Sequence, residues 1–282
     1  MAAVNKTMQR FRRVFSGKHP AVIAMVHVKA LPGTPGHQNE SMKGIIQQAC
    51  EEAKIYKENC VDGILIENMH DIPYVNKSVG PEIVAGMAAV CSAVKSEVGS
   101  IPCGTQILAG CNAQAIGVAK ACDLDFIRAE GFVFSHVADE GIMNADAGDL
   151  LRYRKLVNAE NVLVFTDIKK KHSSHAITKD LSVAEVAQAA EFFLSDGAIL
   201  TGSHTGDPAN SQDITVLKNN KVGIPILIGS GVDEENLSNF MSADGLIIGS
   251  HFKIDGHWKN TVDPRRVFSF MNKFSALKRS SI

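Results

Sequence analysis

No stretch of this chain stays apolar for the roughly 20 residues that a membrane-spanning helix requires, so membrane insertion is not expected. Charge of one sign is also scarce. The 29 basic and 30 acidic side chains leave a net charge of −1, which removes any global electrostatic case for nucleic acid or an anionic membrane surface. The six cysteines (Cys50, Cys60, Cys91, Cys103, Cys111, Cys122) form no Cys-x-x-Cys pair and follow no secretory signal. They read as reduced thiols of an intracellular protein, those in the helices as core, and not as a disulfide framework or a metal site. There is no low-complexity tract, no Asn-Gly hairpin signal and no Gly-x-Gly-x-x-Gly after the first apolar run. Acid is missing locally too: no Asp or Glu precedes Glu40, so "MAAVNKTMQRFRRVFSGKHP" is basic throughout. That composition fits a mitochondrial presequence. Its other reading is a short amphipathic helix with Met8, Phe11, Val14 and Phe15 spaced to plug the bottom of a domain. A cytoplasmic location is expected, with the mitochondrial matrix as the alternative.

What is present is a large core, 45% hydrophobic against 21% charged in 282 residues, and a recurring unit. A short β-branched apolar run is followed by a polar or Gly-rich loop and then by helical periodicity. The runs are AVIAMVHV (21–28), GILIE (63–67), CGTQIL (103–108), FIRAE (126–130), NVLVFTDI (161–168), GAILTG (197–202), PILIGSG (225–231) and GLIIGS (245–250). Helical segments between them include SMKGIIQQACEEAKIYKEN, EIVAGMAAVCSAVKSEVG, NAQAIGVAKAC and SVAEVAQAAEFFLSD. The last opens on a capping box, Ser182 with Glu185. The final helix opens with Asp263 as cap and Pro264 at its first position. Eight strands, each followed by a helix, predict a single α/β domain, a (β/α)8 TIM barrel over residues 20–282 behind an arm over residues 1–19. A doubly wound open sheet is the competing architecture, and the missing glycine fingerprint argues against it.

In such barrels chemistry sits where strands end and loops begin. Period-two alternation in the fifth run places Leu163, Phe165, Asp167 and Lys169 inward and sends Lys170 outward. Lys171 and His172 lie past the strand, where alternation no longer decides. The same parity puts His27 with Lys29 and Arg128 with Glu130 at the mouth. An ion-pair network would account for any one of these groups, whereas the whole set of buried charge argues for a ligand site. Candidate catalytic residues are therefore Asp167, Lys169, Glu67, His27, Arg128 and Glu130. The loops after the last two strands, with Gly229, Ser230, Gly231, Gly249 and Ser250, are candidates for holding phosphate through backbone N–H groups and hydroxyls; tight packing is the other explanation for their glycines. Possible loop contacts are Asn68, Lys171, His172, Thr201, Gly202 and His204. "ENMHDIP" offers Glu67, His70 and Asp71 as possible metal ligands, and His136, His172, His175 and His204 lie in loops of the same face. No resident cofactor is predicted, a divalent metal stays possible, and Trp258 is placed to lid the pocket or to bury itself under the last helix.

"MVHVKALPGTPG", "DGILIENMHDIPY", "FIRAEGF", "DIKKKHSSH", "AILTGSHTGDP", "LIGSGVDEENL" and "ADGLIIGSHFKIDG" together resemble the BtpA/SgcQ family, in family order from residue 20 to 256. The resemblance implies one TIM barrel of the ribulose-phosphate-binding type and, from the family's naming, a role in membrane-complex biogenesis. Lys29 and Ala30 stand where the family more usually has prolines or aliphatics. "DIKKKHSSH" is also similar to the Asp-x-Lys strand end of sugar-phosphate decarboxylase barrels, which implies a lysine proton donor; the second acidic residue of that pattern is missing. Three functions follow as expectations. The first is an enzyme acting on a small phosphorylated, sugar-like or nucleotide-like metabolite by acid/base, lyase or isomerase chemistry. The second is a non-catalytic assembly or stability factor, and the third a metal-dependent hydrolase. The expected partners are a phosphorylated small molecule and further copies of the chain.

Overall fold

The computed structural model describes residues 2–202 and 206–280. Each of the eight apolar runs forms a strand: β1 (Ala21–His27), β2 (Gly63–Glu67), β3 (Cys103–Gln106), β4 (Phe126–Ala129), β5 (Leu163–Ile168), β6 (Gly197–Leu200), β7 (Ile226–Ile228) and β8 (Gly245–Ile248). They pair in parallel in chain order, and β8 returns to β1 to close the barrel. The fold is a (β/α)8 TIM barrel. Continuous apolar runs are what strands buried on both faces require, because one face meets the barrel interior and the other the helices.

The helices are α1 (Ala2–Val14), α2 (Met42–Glu58), α3 (Pro81–Val98), α4 (Asn112–Ala121), α5 (Ala147–Leu156), α6 (Val183–Phe192), α7 (Ser211–Asn219) and α8 (Pro264–Ser280). The capping box of α6 forms as its spacing predicts: Glu185 N donates to Ser182 Oγ at 3.2 Å and Ser182 N to Glu185 Oε2 at 2.8 Å. At α8, Asp263 Oδ1 accepts from Arg265 N at 2.9 Å behind Pro264. Two features depart from the expected pattern. After β7 the helix shrinks to a 3₁₀ turn, Leu237–Phe240. After β4 the chain makes an antiparallel hairpin, His136–Ala138 with Gly141–Met143, joined by Ser173–Ser174 from the loop after β5. This three-stranded sheet stands at the C-terminal end of the barrel, although no Asn-Gly turn announces it.

Alternation divides the core in two. Ala21, Ile23, Met25, Leu65, Phe126, Leu163, Phe165, Ile199, Leu227 and Ile247 fill the barrel interior, and a larger cluster lies between barrel and helices. The N-terminal helix closes the interior from below. Phe11 and Phe15 are fully buried, with Phe11 5.8 Å from the Phe165 ring and Phe15 5.8 Å from the Phe126 ring. Val14 is partly buried against them. Arg10 ties the helix to the barrel rim, donating to Asp196 Oδ1 and to the Glu160 carbonyl, both at 2.5 Å.

A repeated aspartate secures the same lower rim. Asp62, Asp125, Asp196 and Asp244 stand just before the even-numbered strands. Each accepts through its carboxylate the N–H of one residue on the preceding strand (Val22, Cys103, Val164 and Ile226), all at 2.9 Å. Each also donates its own N–H to the carbonyl of that same residue, at 2.7–2.9 Å. These four N–H groups at the strand starts are thereby satisfied.

Candidate functional site

At the opposite end the uppermost inward positions turn polar. His27, Glu67 and Gln106 stand side by side in register on β1, β2 and β3. Arg128 and Asp167 follow on β4 and β5, and glycines 229 and 249 follow β7 and β8. Above this layer opens a cleft of about 690 Å³ lined by His27, Glu67, Gln106, Arg128, Glu130 and Lys171, among others. Its outer wall carries Met69, Tyr74, Leu108 and Trp258.

Arg128 and Asp167 form a bidentate pair, Nε to Oδ1 and Nη2 to Oδ2, both at 2.9 Å, with side chains only 4% and 1% exposed. Planar fork-to-fork geometry is the strongest form of this interaction. The guanidinium, though buried, is kept charged by Asp167, so its pKa is raised. Lys170 Nζ donates to Glu130 Oε1 at 3.2 Å, also buried. Burial alone would lower the Lys170 pKa, but Glu130 and Glu140 together outweigh it and raise it.

Here the expected placement of the lysines reverses. Alternation holds through Asp167 and stops at Ile168, because Lys169 adopts a left-handed backbone conformation with φ of +47°. Lys169 Nζ turns away from the mouth to donate to the Leu181 carbonyl at 2.5 Å. Lys170, expected outside, pairs with Glu130, and Lys171 lines the cleft. Lys171 N donates to Thr201 Oγ1 at 3.0 Å, which fixes the turn, while Nζ finds no ion-pair partner among the described residues. Burial, followed by the nearby Arg128 charge, lowers the Lys171 pKa. Burial likewise raises Glu67 to about 7 against the opposing pull of Arg128 and Lys171.

His27 is buried at the mouth, and its pKa lies well below the usual 6.5, through burial first and then the Lys253 ammonium. Its Nδ1 sits 3.0 Å from the Trp258 carbonyl. A carbonyl only accepts, so Nδ1 carries the proton and Nε2 is left as an acceptor. Lys29, expected beside His27, leaves the site for a surface pair with Glu40 at 2.8 Å.

The residues of "ENMHDIP" diverge. Glu67 enters the cleft, His70 packs 5.3 Å from the Trp258 ring, and Asp71 accepts from Leu31 N at 2.8 Å. Asn68 is a strut, donating to Asp71 and accepting from Leu108 N, both at 2.8 Å. Among the described residues no three His, Cys, Asp or Glu side chains are grouped to hold a metal ion. His172 lines the rim, 3.9 Å from Asp139. The His136 and His175 rings lie 5.3 Å apart, tilted to one another, in a side crevice. His204 lies outside the described residues.

All five candidate phosphate-loop residues line the cleft, but several are occupied. Gly229 N donates to the Leu200 carbonyl at 2.7 Å. The Ser230 hydroxyl accepts from Gly202 N at 2.7 Å and donates to the Asp207 carbonyl at 2.8 Å, so its proton is already used. A Cβ on Gly231 would stand 2.2 Å from Pro208 Cα, which makes this glycine a requirement of loop packing. Gly249 is different: a Cβ there would touch His27 Nε2 at 3.4 Å, an ordinary contact. Beside it lies Arg266, from the first turn of α8, whose Nε donates to the His251 carbonyl at 2.6 Å while the guanidinium lines the cleft. Nothing in the sequence distinguishes Arg266 from Arg265, and only the packing of α8 over β8 brings it in. Gln106 was likewise hidden in an apolar run.

A closed parallel barrel with buried charges gathered at the C-terminal ends of its strands, around one cleft, defines a TIM-barrel protein with its candidate site at that face. The sequence profile of the BtpA family matches residues 18–276, and the chain belongs to the BtpA family. It is 48% identical to the uncharacterized protein F13E9.13, mitochondrial, of Caenorhabditis elegans, over 95% of this chain and 97% of that one. It is 32% identical to the photosystem I biogenesis protein BtpA of Synechocystis sp., over 90% and 87%. Among solved structures, KGPDC from Streptococcus mutans superposes with a TM-score of 0.56 at 12% identity, over 93% of this chain and all of that one. Orotidine 5'-phosphate decarboxylase from Pyrococcus horikoshii gives 0.55 at 13%, over 90% and 99%. At such identities these two show the fold. No described helix is long and apolar enough to cross a membrane.

Proposed function

We propose that this barrel is an enzyme that binds a small phosphorylated metabolite at the C-terminal face and moves a proton on it, in a lyase- or isomerase-type reaction. The observation that carries this reading is the opposed tuning of two groups at one cleft. Glu67 is raised to about 7, and Lys171 is lowered and has no ion-pair partner among the described residues. A carboxyl raised to about 7 beside an amine lowered from its ordinary value is an acid–base pair moved in the direction that proton transfer at physiological pH requires. Lys171 takes the role first expected of Lys169. Its ammonium donates a proton to the substrate while the Glu67 carboxylate receives one, or the reverse. Arg128, held rigid by Asp167, positions a second anionic group. Gly249, Ser250 and Arg266 form the phosphate end, on the side of the cleft where barrels commonly hold phosphate. The decarboxylase likeness supports the reading at the level of architecture alone.

The test is a thermal-shift screen against sugar phosphates and nucleotides, followed by turnover on whatever binds. Lys171→Met and Glu67→Gln are expected to keep binding and lose turnover, and Lys169→Ala to keep both. Full turnover in Lys171→Met would refute the assignment.

A second reading, an assembly factor, is favoured by the 32% identical photosystem I biogenesis protein. It predicts a stoichiometric protein partner whose capture survives Lys171→Met. The mitochondrial label of the Caenorhabditis elegans relative supports a mitochondrial location over a cytoplasmic one, which imaging of the tagged full chain would decide.

A further inference from the structure

The wall of the cleft built by β1 to β4 is rich in hydrogen-bond acceptors. His27 presents Nε2, because Nδ1–H is engaged by Trp258. Next to it in register come Glu67 and then Gln106, and above them Glu130. These four residues are 4%, 6%, 2% and 6% exposed, and all line the cleft. Gln106 Oε1 and Glu130 Oε2 are buried without any hydrogen-bond partner, and so is Glu140 Oε2, which overhangs the same cleft from the hairpin turn. An unpaired buried acceptor costs about 1–3 kcal/mol, and native structures rarely leave one without a reason. Two on this wall and a third overhanging the same cleft mark a place where a ligand supplies N–H or O–H groups.

The charge balance decides between a cationic and a neutral donor. Glu130 already carries Lys170, and Asp167 already carries Arg128. Lys171 adds a positive charge that forms no close ion pair among the described residues, although Glu67, Asp167 and Glu130 lie near enough to act on it. Glu67, raised to about 7, and Glu140 form no ion pair among the described residues, but an ammonium group reaching them would enter beside the Arg128 and Lys171 charges. Hydroxyl groups satisfy the acceptors without that repulsion. A planar heterocycle, rich in acceptors itself, would leave several of them unpaired.

We propose that the β1–β4 wall is a hydroxyl-binding subsite, with Gln106 a specificity-determining residue, so that the ligand is a polyhydroxylated chain or ring carrying its phosphate toward Gly249, Ser250 and Arg266. The hydroxyl subsite stands on its own observations; only the position of the phosphate rests on the function proposed above.

The experiment measures binding to the full chain by calorimetry and thermal shift. Its probes are alditol phosphates of three to six carbons, the matching alkyl phosphates, the free alditols and inorganic phosphate. At least one alditol phosphate is expected to bind about tenfold or more tightly than its alkyl counterpart, the worth of one well-made hydrogen bond to a buried group. Gln106→Met and Glu130→Gln are each expected to shrink that ratio toward one while leaving inorganic phosphate affinity unchanged. Alkyl phosphates binding as tightly as alditol phosphates would overturn the hydroxyl subsite and leave the phosphate site standing; this comparison needs no variant to fold. A ratio that survives both substitutions would overturn the role of these two residues. Free alditols binding as tightly as their phosphates would keep the subsite and overturn the phosphate end. No binding by any probe would overturn both.

Discussion

Replacing Glu67 with Gln removes a buried ionisable group while keeping its shape, and its effect on stability is calculable. The carboxyl holds its proton to about 7 in the fold, against an ordinary value of 4.5. Between those two values the folded chain binds more protons than the unfolded chain, so stability falls as pH rises through that window. The gap of about 2.5 pH units, at ~1.36 kcal/mol per unit, amounts to about 3 kcal/mol lost by pH 8. Glu67→Gln escapes that loss. For a chain of this size roughly 2 °C accompanies each kcal/mol, so the variant's melting temperature is expected to gain about 6 °C on the parent between pH 4.5 and pH 8. Differential scanning calorimetry of both proteins across that range measures it. A constant difference between the two curves would refute the reasoning: it would mean that Arg128 and Lys171 keep Glu67 ionised throughout, and Glu67 could not then serve as a group poised near neutrality.

Other outcomes follow from the same geometry. Arg128→Met leaves the Asp167 carboxylate buried without its partner and is expected to cost about 3–5 kcal/mol in urea denaturation, whereas Arg128→Met with Asp167→Leu recovers most of that loss. A double variant no more stable than Arg128→Met would refute the pairing argument. Phe11→Ala is expected to cost about 3–5 kcal/mol by the same assay, since it empties the floor of the barrel; a cost under about 1 kcal/mol would show that α1 is a dispensable arm. Asp125→Ala, which leaves Cys103 N–H without its acceptor, is expected to cost about 1–3 kcal/mol and to accelerate hydrogen exchange at that amide. Unchanged exchange there would contradict the pairing.

What the sequence revealed and what it hid divide along physical lines. The eight strands were legible because parallel strands buried on both faces read as unbroken apolar runs, and β5 kept its parity through Leu163, Phe165 and Asp167. Parity is a property of extended backbone, and it ended where Lys169 took a positive φ that no residue type advertised. One turned peptide exchanged the roles of Lys169, Lys170 and Lys171. The phosphate-loop glycines were visible but ambiguous: Gly231 answers to Pro208 while Gly249 meets His27 only in ordinary contact, and only three-dimensional neighbours tell these apart. Arg266 and the hairpin after β4 depend on tertiary packing, which leaves no periodic mark. The apolar plug of α1 was written in the spacing of Phe11 and Phe15, since both must meet the same interior.

The four rim aspartates have a consequence for how the barrel comes apart. They clamp β1 to β2, β3 to β4, β5 to β6 and β7 to β8. At two of the intervening seams the corresponding strand starts meet through backbone hydrogen bonds, Ile64 N with the Pro102 carbonyl and Ala198 N with the Pro225 carbonyl. The lower rim is therefore built of four double-stranded staves with softer joints between them. Circular permutants opened between staves are expected to survive better than those opened within one.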